Sequence, residues 1–126
     1  MFFGVRYELR QNSIAMTFMA KANKRGLMSA LINFSIFPLD KGESVSQYVA
    51  RAVKIIKDSG LPHKLGSMGT SVEGEWDEVM RVVASCFEKL TEDCDRIYFV
   101  ITGDYRKKGM NRITAKVESV EEKLEI

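Results

Sequence analysis

The sequence is short of several features that would place it in a class at once. It has no apolar run near the ~18 residues that span a membrane, and it has only one histidine, His63. Its two cysteines, Cys86 and Cys94, show neither metal-ligand spacing nor a second pair for a disulfide scaffold. These absences argue against a membrane partner, a metal site and a disulfide-stapled secreted domain. We therefore expect a cytoplasmic protein with reduced thiols.

Motifs of the common catalytic and nucleotide-binding classes are also missing. The chain has no G-x-G-x-x-G, no Walker sequence and no nucleophile elbow. His63 follows Pro62 at the entrance of a predicted strand, a position typical of a surface residue. An enzyme would have to rely on Glu73 or Asp104 as its acid or base. The sequence therefore favours a protein that is not an enzyme and that carries no cofactor.

The net charge of +2 is unevenly distributed. Residues 1–27 carry a net +4, which leaves −2 on residues 28–126. A mildly acidic main body argues against nucleic acid as a partner. We predict a domain at 28–126, preceded by an extension at 1–27 that allows three interpretations. It could be a β-hairpin, because its apolar residues alternate; a basic targeting leader; or a segment upstream of a true start at Met28.

Hydrophobic periodicity divides the domain into strands and helices. The predicted elements are a strand at 29–39, a helix opened by Ser44 with Gln47 as capping-box partner and stopped by Gly60, two short strands within 63–73, a helix at 75–90, a strand at 97–102, a basic loop at 104–112 and a terminal helix from Ile113. This order predicts an α+β, ferredoxin-like βαββαβ fold. Its antiparallel sheet would carry two helices on one face, with the C-terminal helix added.

One face of the predicted sheet has no covering layer. It holds Leu31, Phe37, Tyr98 and Val100, more apolar surface than a soluble monomer usually exposes. The last strand is apolar on both faces, which predicts cover on both sides. The simplest cover is a second copy of the chain. We therefore expect the protein to be its own partner, as a homodimer or homotetramer joined through the open sheet face.

The stretch at 68–80, M-G-T-S-V-E-G-E-W-D-E-V-M, changes period in its middle. It alternates like a strand up to Glu73, and beyond Gly74 its apolar residues recur at helical spacing from Trp76. The turn between them would leave free N–H groups, the Glu73 carboxylate and the Thr70 hydroxyl close together at one end of the sheet. Such a turn suits a small ligand.

Several blocks of the sequence resemble the family of small thiamine-binding proteins. They are F-S-I-F-P-L at 34–39, G-E-S-V-S-Q-Y-V-A-R at 42–51, S-G-L-P at 59–62, M-G-T-S-V-E-G-E-W-D-E-V at 68–79 and K-V-E-S-V-E at 116–121. The resemblance runs from about Met28 to the C-terminus. It implies a ferredoxin-like fold in dimers and tetramers, with a non-enzymatic pocket for thiamine or its hydroxymethylpyrimidine part.

The chemistry of that implied ligand suggests which residues would contact it. An aminopyrimidine presents an amino donor beside ring-nitrogen acceptors, so it needs a carboxylate or carbonyl together with a hydroxyl or N–H. It also needs an apolar wall on which the ring can stack. The candidate ligand contacts are Ser35, Phe37, Met68, Gly69, Thr70, Glu73 and Trp76.

Four of these candidates have a structural alternative. Trp76 and Met68 also suit core packing, Glu73 also suits a helix-capping acid, and Ser35 could instead face water across an incomplete interface. At the level of the whole chain, the first hypothesis is a small-molecule binding module. The second is a structural or regulatory oligomer that acts through a protein partner. The third is an enzyme that acts on a thiamine-related compound.

Overall fold

The elements follow one another in the order that the sequence predicts. They are β1 (Ser29–Pro38), α1 (Ser46–Asp58), β2 (His63–Leu65), β3 (Thr70–Gly74), α2 (Trp76–Thr91), β4 (Ile97–Arg106) and α3 (Arg112–Leu124). The computed structural model describes residues 29–124. The prediction for residues 1–27 lies outside the described residues. No helix within 29–124 has the length and apolar character needed to cross a membrane.

The strands form one antiparallel sheet in the order β2-β3-β1-β4. β1 occupies an inner position, with β3 on one side and β4 on the other. β2 and β3 form a hairpin at one edge, and β4 is the other edge. α1 and α2 pack on the same face of β1. This arrangement confirms the predicted ferredoxin-like fold.

The core follows from the period-two alternation of β1. Ala30, Ile32, Phe34 and Ile36 point toward the helices and are all buried. α1 contributes the buried side chains of Tyr48, Ala52 and Ile56, and α2 contributes those of Val79, Val82, Cys86 and Leu90. Both cysteines are buried free thiols, and burial raises the pKa of Cys86 to about 12, so this thiol stays protonated at neutral pH.

The two core helices begin differently from each other. The predicted capping box of Ser44 and Gln47 is wrong, because α1 begins at Ser46 and its N-cap, Val45, makes no side-chain capping bond. α2 does have a capping box, in which the Glu75 N–H donates to the Glu78 carboxylate at 3.2 Å. Partial burial raises the pKa of Glu78.

β4 is longer and more exposed than the sequence predicts. It continues to Arg106, because β1 begins at Ser29 and supplies pairing partners that far. Residues 104–106 therefore belong to the strand, although they were predicted as loop. On the helix side of β4, Ile97 and Ile101 pack against the core, whereas Phe99 is largely exposed.

The open sheet face is present as predicted. Tyr98 and Val100 are exposed there, while Leu31 and Phe37 are half-buried. The rings of Phe37 and Tyr98 lie 5.4 Å apart across the two strands. This face has apolar character and is only partly covered within residues 29–124.

Candidate ligand-binding site

A cavity of about 230 Å³ lies between α1, β1 and the hairpin of β2 and β3. Its lining is mostly apolar and includes no charged side chain. The lining residues are Phe34, Ser35, Ile36, Phe37, Val45, Val49, Ala52, Val53, Ile56, Leu65, Gly66, Ser67, Met68, Gly69 and Thr70. The small size and apolar walls suit one aromatic ring.

Unequal strand pairing produces this cavity. β1 pairs with β4 as far as Pro38 opposite Ile97, but it pairs with β3 only as far as Phe34 opposite Thr70. Beyond Phe34 the chain of the hairpin turns away at residues 66–69, and the edge of β1 on that side is left without a neighbouring strand. The cavity fills this notch in the sheet, and α1 closes it from above.

The hairpin wall is held in shape by its own backbone. The Gly66 N–H donates to the Gly69 carbonyl at 2.8 Å, which closes the turn. Met68 lies at the cavity rim with 85% of its surface exposed. A Cβ on Gly69 would lie 2.8 Å from the Asn33 amide nitrogen, so glycine permits the close approach of the hairpin to β1.

The polar groups in the cavity are few. Thr70 is 3% exposed and places a hydroxyl group in the lining. Ser35 and Ser67 also line the cavity. Hydroxyl groups donate and accept, so they can meet either edge of a heterocycle.

The structure brings five of the seven sequence-predicted site residues together at this cavity. Ser35, Phe37, Met68, Gly69 and Thr70 all line it, and Glu73 and Trp76 do not. The expected meeting of Thr70 and Glu73 does not occur. They lie about 10 Å apart along β3, since a strand rises ~3.3 Å per residue. They also face opposite sides of the sheet, because Thr70 is opposite the core residue Phe34 and Glu73 is opposite Leu31.

Glu73 instead anchors α3. Its carboxylate accepts the Arg112 backbone N–H at 2.9 and 3.0 Å and the Ser29 hydroxyl at 2.8 Å. The Arg112 side chain is buried and donates to the Ser29 carbonyl at 3.1 Å and to Asp104. Glu73 is thus a helix-capping acid, but for α3 and not for the α2 that follows it in sequence.

Trp76 lies outside the core and outside this cavity. It is the first residue of α2 and is 58% exposed, so it is neither core nor cavity wall. The sequence signal failed because helical spacing places Trp76 in line with Val79, but the helix begins only at Trp76, beyond the packed layer.

Sequence reasoning missed the α1 side of the cavity. The helical spacing of Val45, Val49, Ala52, Val53 and Ile56 indicates a buried stripe on α1. In the structure Val49 and Val53 are only half-buried, and they line the cavity with Val45. Their i, i+4 spacing places them along one edge of the stripe, and this edge position is the feature of the sequence that could have indicated a cavity wall. It does not reveal that the opposing strand ends early. The part of the chain described, 29–124, contains no cluster of His, Cys, Asp and Glu that could hold a metal ion.

Comparison with known proteins identifies the family. A model described as thiamine-binding protein matches residues 32–121, most of the chain. The chain belongs to the thiamine-binding protein family. A UPF0045 protein of Mycobacterium bovis is 40% identical over 95 residues, which cover 75% of this chain and 93% of the relative. A UPF0045 protein of Synechocystis is 35% identical over 99 residues, 78% of this chain and 82% of the relative.

Solved structures of similar proteins share the fold of this family member. A hypothetical protein from Methanocaldococcus jannaschii superposes with a TM-score of 0.69 at 33% identity, covering 75% of this chain and 97% of that one. A Thermotoga maritima protein provisionally linked to thiamine biosynthesis or salvage superposes with a TM-score of 0.65 at 24% identity, covering 73% and 98%.

The family match contains the complete cavity lining and most of the α3 anchor. All lining residues fall between Phe34 and Thr70, and Glu73 and Arg112 also lie inside the matched range. Ser29 lies just before it. The cavity and the α3 anchor therefore lie in the same matched domain.

Proposed function

We propose that this protein binds thiamine through its hydroxymethylpyrimidine part, or the free pyrimidine, in the cavity beside β1. The observation that carries the proposal is the cavity, which is lined by five of the residues predicted from ligand chemistry, in a member of the thiamine-binding family. The ligand would be held without being converted, in a buffering, carrier or sensing role.

The size of the cavity favours one ring inside. Its volume of about 230 Å³ falls below the ~300–1,000 Å³ of typical ligand pockets. The pyrimidine would lie between the apolar walls of β1 and α1. The thiazolium ring of thiamine would remain at the rim near Met68, because an unpaired cation is costly to bury.

The lining also supports binding without turnover. General acid–base catalysis needs a titratable group within hydrogen-bond reach of the reacting atoms, and none of the lining side chains titrates in the neutral range. His63 is exposed, and its Nδ1 contacts the Leu61 carbonyl at 2.9 Å. Glu73 is committed to α3. The hydroxyls of Ser35, Ser67 and Thr70 have no base beside them in the lining.

Calorimetric titration tests the ligand. We expect saturable, stoichiometric heat with thiamine or hydroxymethylpyrimidine, and a thermal shift equivalent to about 2.7 kcal/mol at a ligand concentration 100-fold above Kd. Val53→Phe should fill the cavity and abolish binding. The matched control is Val83→Phe, at a half-buried position that packs on the core but does not line the cavity.

Three outcomes would count against the proposal. Equal loss of binding in both variants would indicate general disruption of the fold and not a filled cavity. Unchanged binding in Val53→Phe would move the ligand elsewhere on the molecule. Absence of any heat from a properly folded protein would favour the alternative function, a structural or regulatory oligomer that acts through a protein partner.

We further propose that a second copy of the chain covers the open sheet face. Its support is the apolar surface of Tyr98, Val100 and Phe37, joined by the outer side of α3. On α3 the apolar residues Val117, Val120 and Leu124 are all exposed, although they recur at helical spacing. An amphipathic helix with an exposed apolar side and an open apolar sheet suit self-association.

A further inference from the structure

The direction of the backbone N–H and C=O groups of β1, which borders the cavity, follows from the geometry of the antiparallel sheet. In an antiparallel sheet the N–H and C=O of one residue point to the same side, and successive residues alternate sides. The Leu39 N–H donates to the Arg96 carbonyl at 2.8 Å, on the β4 side. The backbone N–H and C=O groups of odd-numbered β1 residues are therefore directed toward β4, and those of even-numbered residues are directed toward β3.

A hydrogen bond on the other side of β3 leads to the same assignment of backbone directions. The Glu73 N–H donates to the Pro62 carbonyl at 2.9 Å, away from β1. Even-numbered residues of β3 then face β1, so Phe34 and Thr70, which are opposite each other, exchange their backbone hydrogen bonds. The β1–β3 and β1–β4 pairings therefore give the same alternation of backbone N–H and C=O directions along β1.

Ile36 is the β1 residue whose backbone groups point into the notch left by β3. As an even-numbered residue it directs its N–H and C=O toward the β3 side, where pairing has already ended at Phe34. Ile36 lines the cavity, and no backbone hydrogen bond outside the strand pairing involves its N–H or C=O among residues 29–124. Pro38, the next residue on that edge, has no N–H. Ile36 thus offers the last donor and acceptor pair of this edge.

We propose that Ile36 recognises the aminopyrimidine through its backbone, as a further strand would. This inference rests on the proposed function and names the groups that read the ligand. The ring nitrogen accepts the Ile36 N–H, and the adjacent amino group donates to the Ile36 carbonyl. The two contacts meet the unpaired edge of β1 and require no charged side chain.

The same arrangement defines the chemical class of the ligand. The part of the ligand inside the cavity is an uncharged heterocycle with an amino donor beside a ring acceptor, because the lining has no charged side chain to pair with an ion. Thiamine phosphates bind no more tightly than thiamine. The analogue of hydroxymethylpyrimidine that lacks the amino group leaves the Ile36 carbonyl unpaired, and it binds at least about tenfold more weakly.

Amide hydrogen exchange and chemical shifts of the full ¹⁵N-labelled chain test the proposal. In the free protein the Ile36 amide should exchange faster than that of Phe34, which has a strand partner in Thr70. Saturation with hydroxymethylpyrimidine should shift the Ile36 amide proton downfield and slow its exchange by about tenfold or more. The Phe34 and Ser35 amides serve as controls, because both are already directed to neighbouring strands.

The outcomes separate this inference from the function on which it rests. Saturable binding with an unchanged Ile36 amide would overturn the backbone recognition and leave the proposed function intact. Equal affinity for the analogue without the amino group would do the same. Absence of binding by every pyrimidine and by thiamine would overturn both.

Discussion

Glu73 shows how one residue can satisfy a sequence pattern for the wrong reason. It stands just before the strand-to-helix turn, so its neighbours in sequence suggest a ligand contact or a cap for α2. The structure places it against α3, 39 residues further along the chain. Sequence separation of this size carries no local signal. The pairing of β1 with β3 on one side and with β4 on the other brings Glu73, Ser29 and Arg112 together.

Glu73→Gln is therefore expected to affect stability and not ligand affinity. The substitution removes the charge that strengthens the hydrogen bonds from Ser29 and Arg112, and it should lower the free energy of unfolding by about 1–3 kcal/mol. Urea unfolding and calorimetry with the pyrimidine measure the two effects. Glu88→Gln, at an exposed position on α2, is the control. Weaker binding at full stability would return Glu73 to the ligand site.

Asp104 predicts an acid-sensitive contribution to stability. Its hydrogen bond from Lys116 at 2.6 Å lowers the pKa of Asp104 from its ordinary value, and the charge of Arg112 acts in the same direction. A lowered folded-state pKa contributes stability above the unfolded-state value and loses it as the pH falls through the folded-state value. Asp104→Asn should therefore be destabilised at neutral pH, and its difference from wild type should shrink below about pH 4. Urea unfolding at neutral pH and below about pH 4 measures this. An equal difference in the free energy of unfolding at the two pH values would contradict the prediction.

At the scale of elements, the sequence predicted every helix and strand of the described chain. Periodicity is the direct signal for β1, α1 and α2, which bury one face, whereas β2 is exposed and α3 buries only Arg112. The ends were harder to predict. α1 starts two residues later than its Ser44 signal, and β4 runs four residues beyond its apolar run because β1 supplies partners as far as Arg106. The cavity could not be predicted for a related reason. It exists because β3 pairs with less of β1 than β4 does, and strand length in a sheet depends on the neighbour.

The hairpin wall provides a test at the same scale. Gly69→Ala places a methyl group 2.8–2.9 Å from the Asn33 side-chain amide, so either the hairpin or Asn33 must move. We expect a loss of about 1–2 kcal/mol in stability and weaker pyrimidine binding. Asn33→Ala in the same chain should restore most of both, as a double-mutant cycle would measure. Additive losses would show that the two residues do not share this contact.

At the scale of the whole molecule, the two sides of the sheet have separate tasks. The helix side holds the core, and the open side holds the α3 anchor and the surface proposed for self-association. The cavity lies in the notch beside β1 and takes lining residues from both faces. β1 serves both, because its even-numbered residues face the helices and Leu31 and Phe37 face the open side. A sequence can predict this division from alternation alone. It cannot predict which face α3 approaches, since that depends on Glu73 and Arg112.

Substitutions on neighbouring β4 residues can distinguish the faces. Val100→Lys places a charge on the open face and should shift the protein toward monomer in sedimentation velocity at matched concentration. Phe99→Lys changes the adjacent residue on the helix side, where Phe99 packs at 6.3 Å from the ring of Phe87, and should leave the assembly unchanged. The opposite pattern would move the interface to the helix side of β4.

The position of Trp76 has a practical consequence for spectroscopy. It is the only tryptophan in the sequence, and it stands half in solvent at the first turn of α2. Tryptophan emission therefore comes from one place, which is not among the residues that line the cavity. A change in that emission would report a rearrangement at the start of α2, and a silent tryptophan would be compatible with a fully occupied cavity.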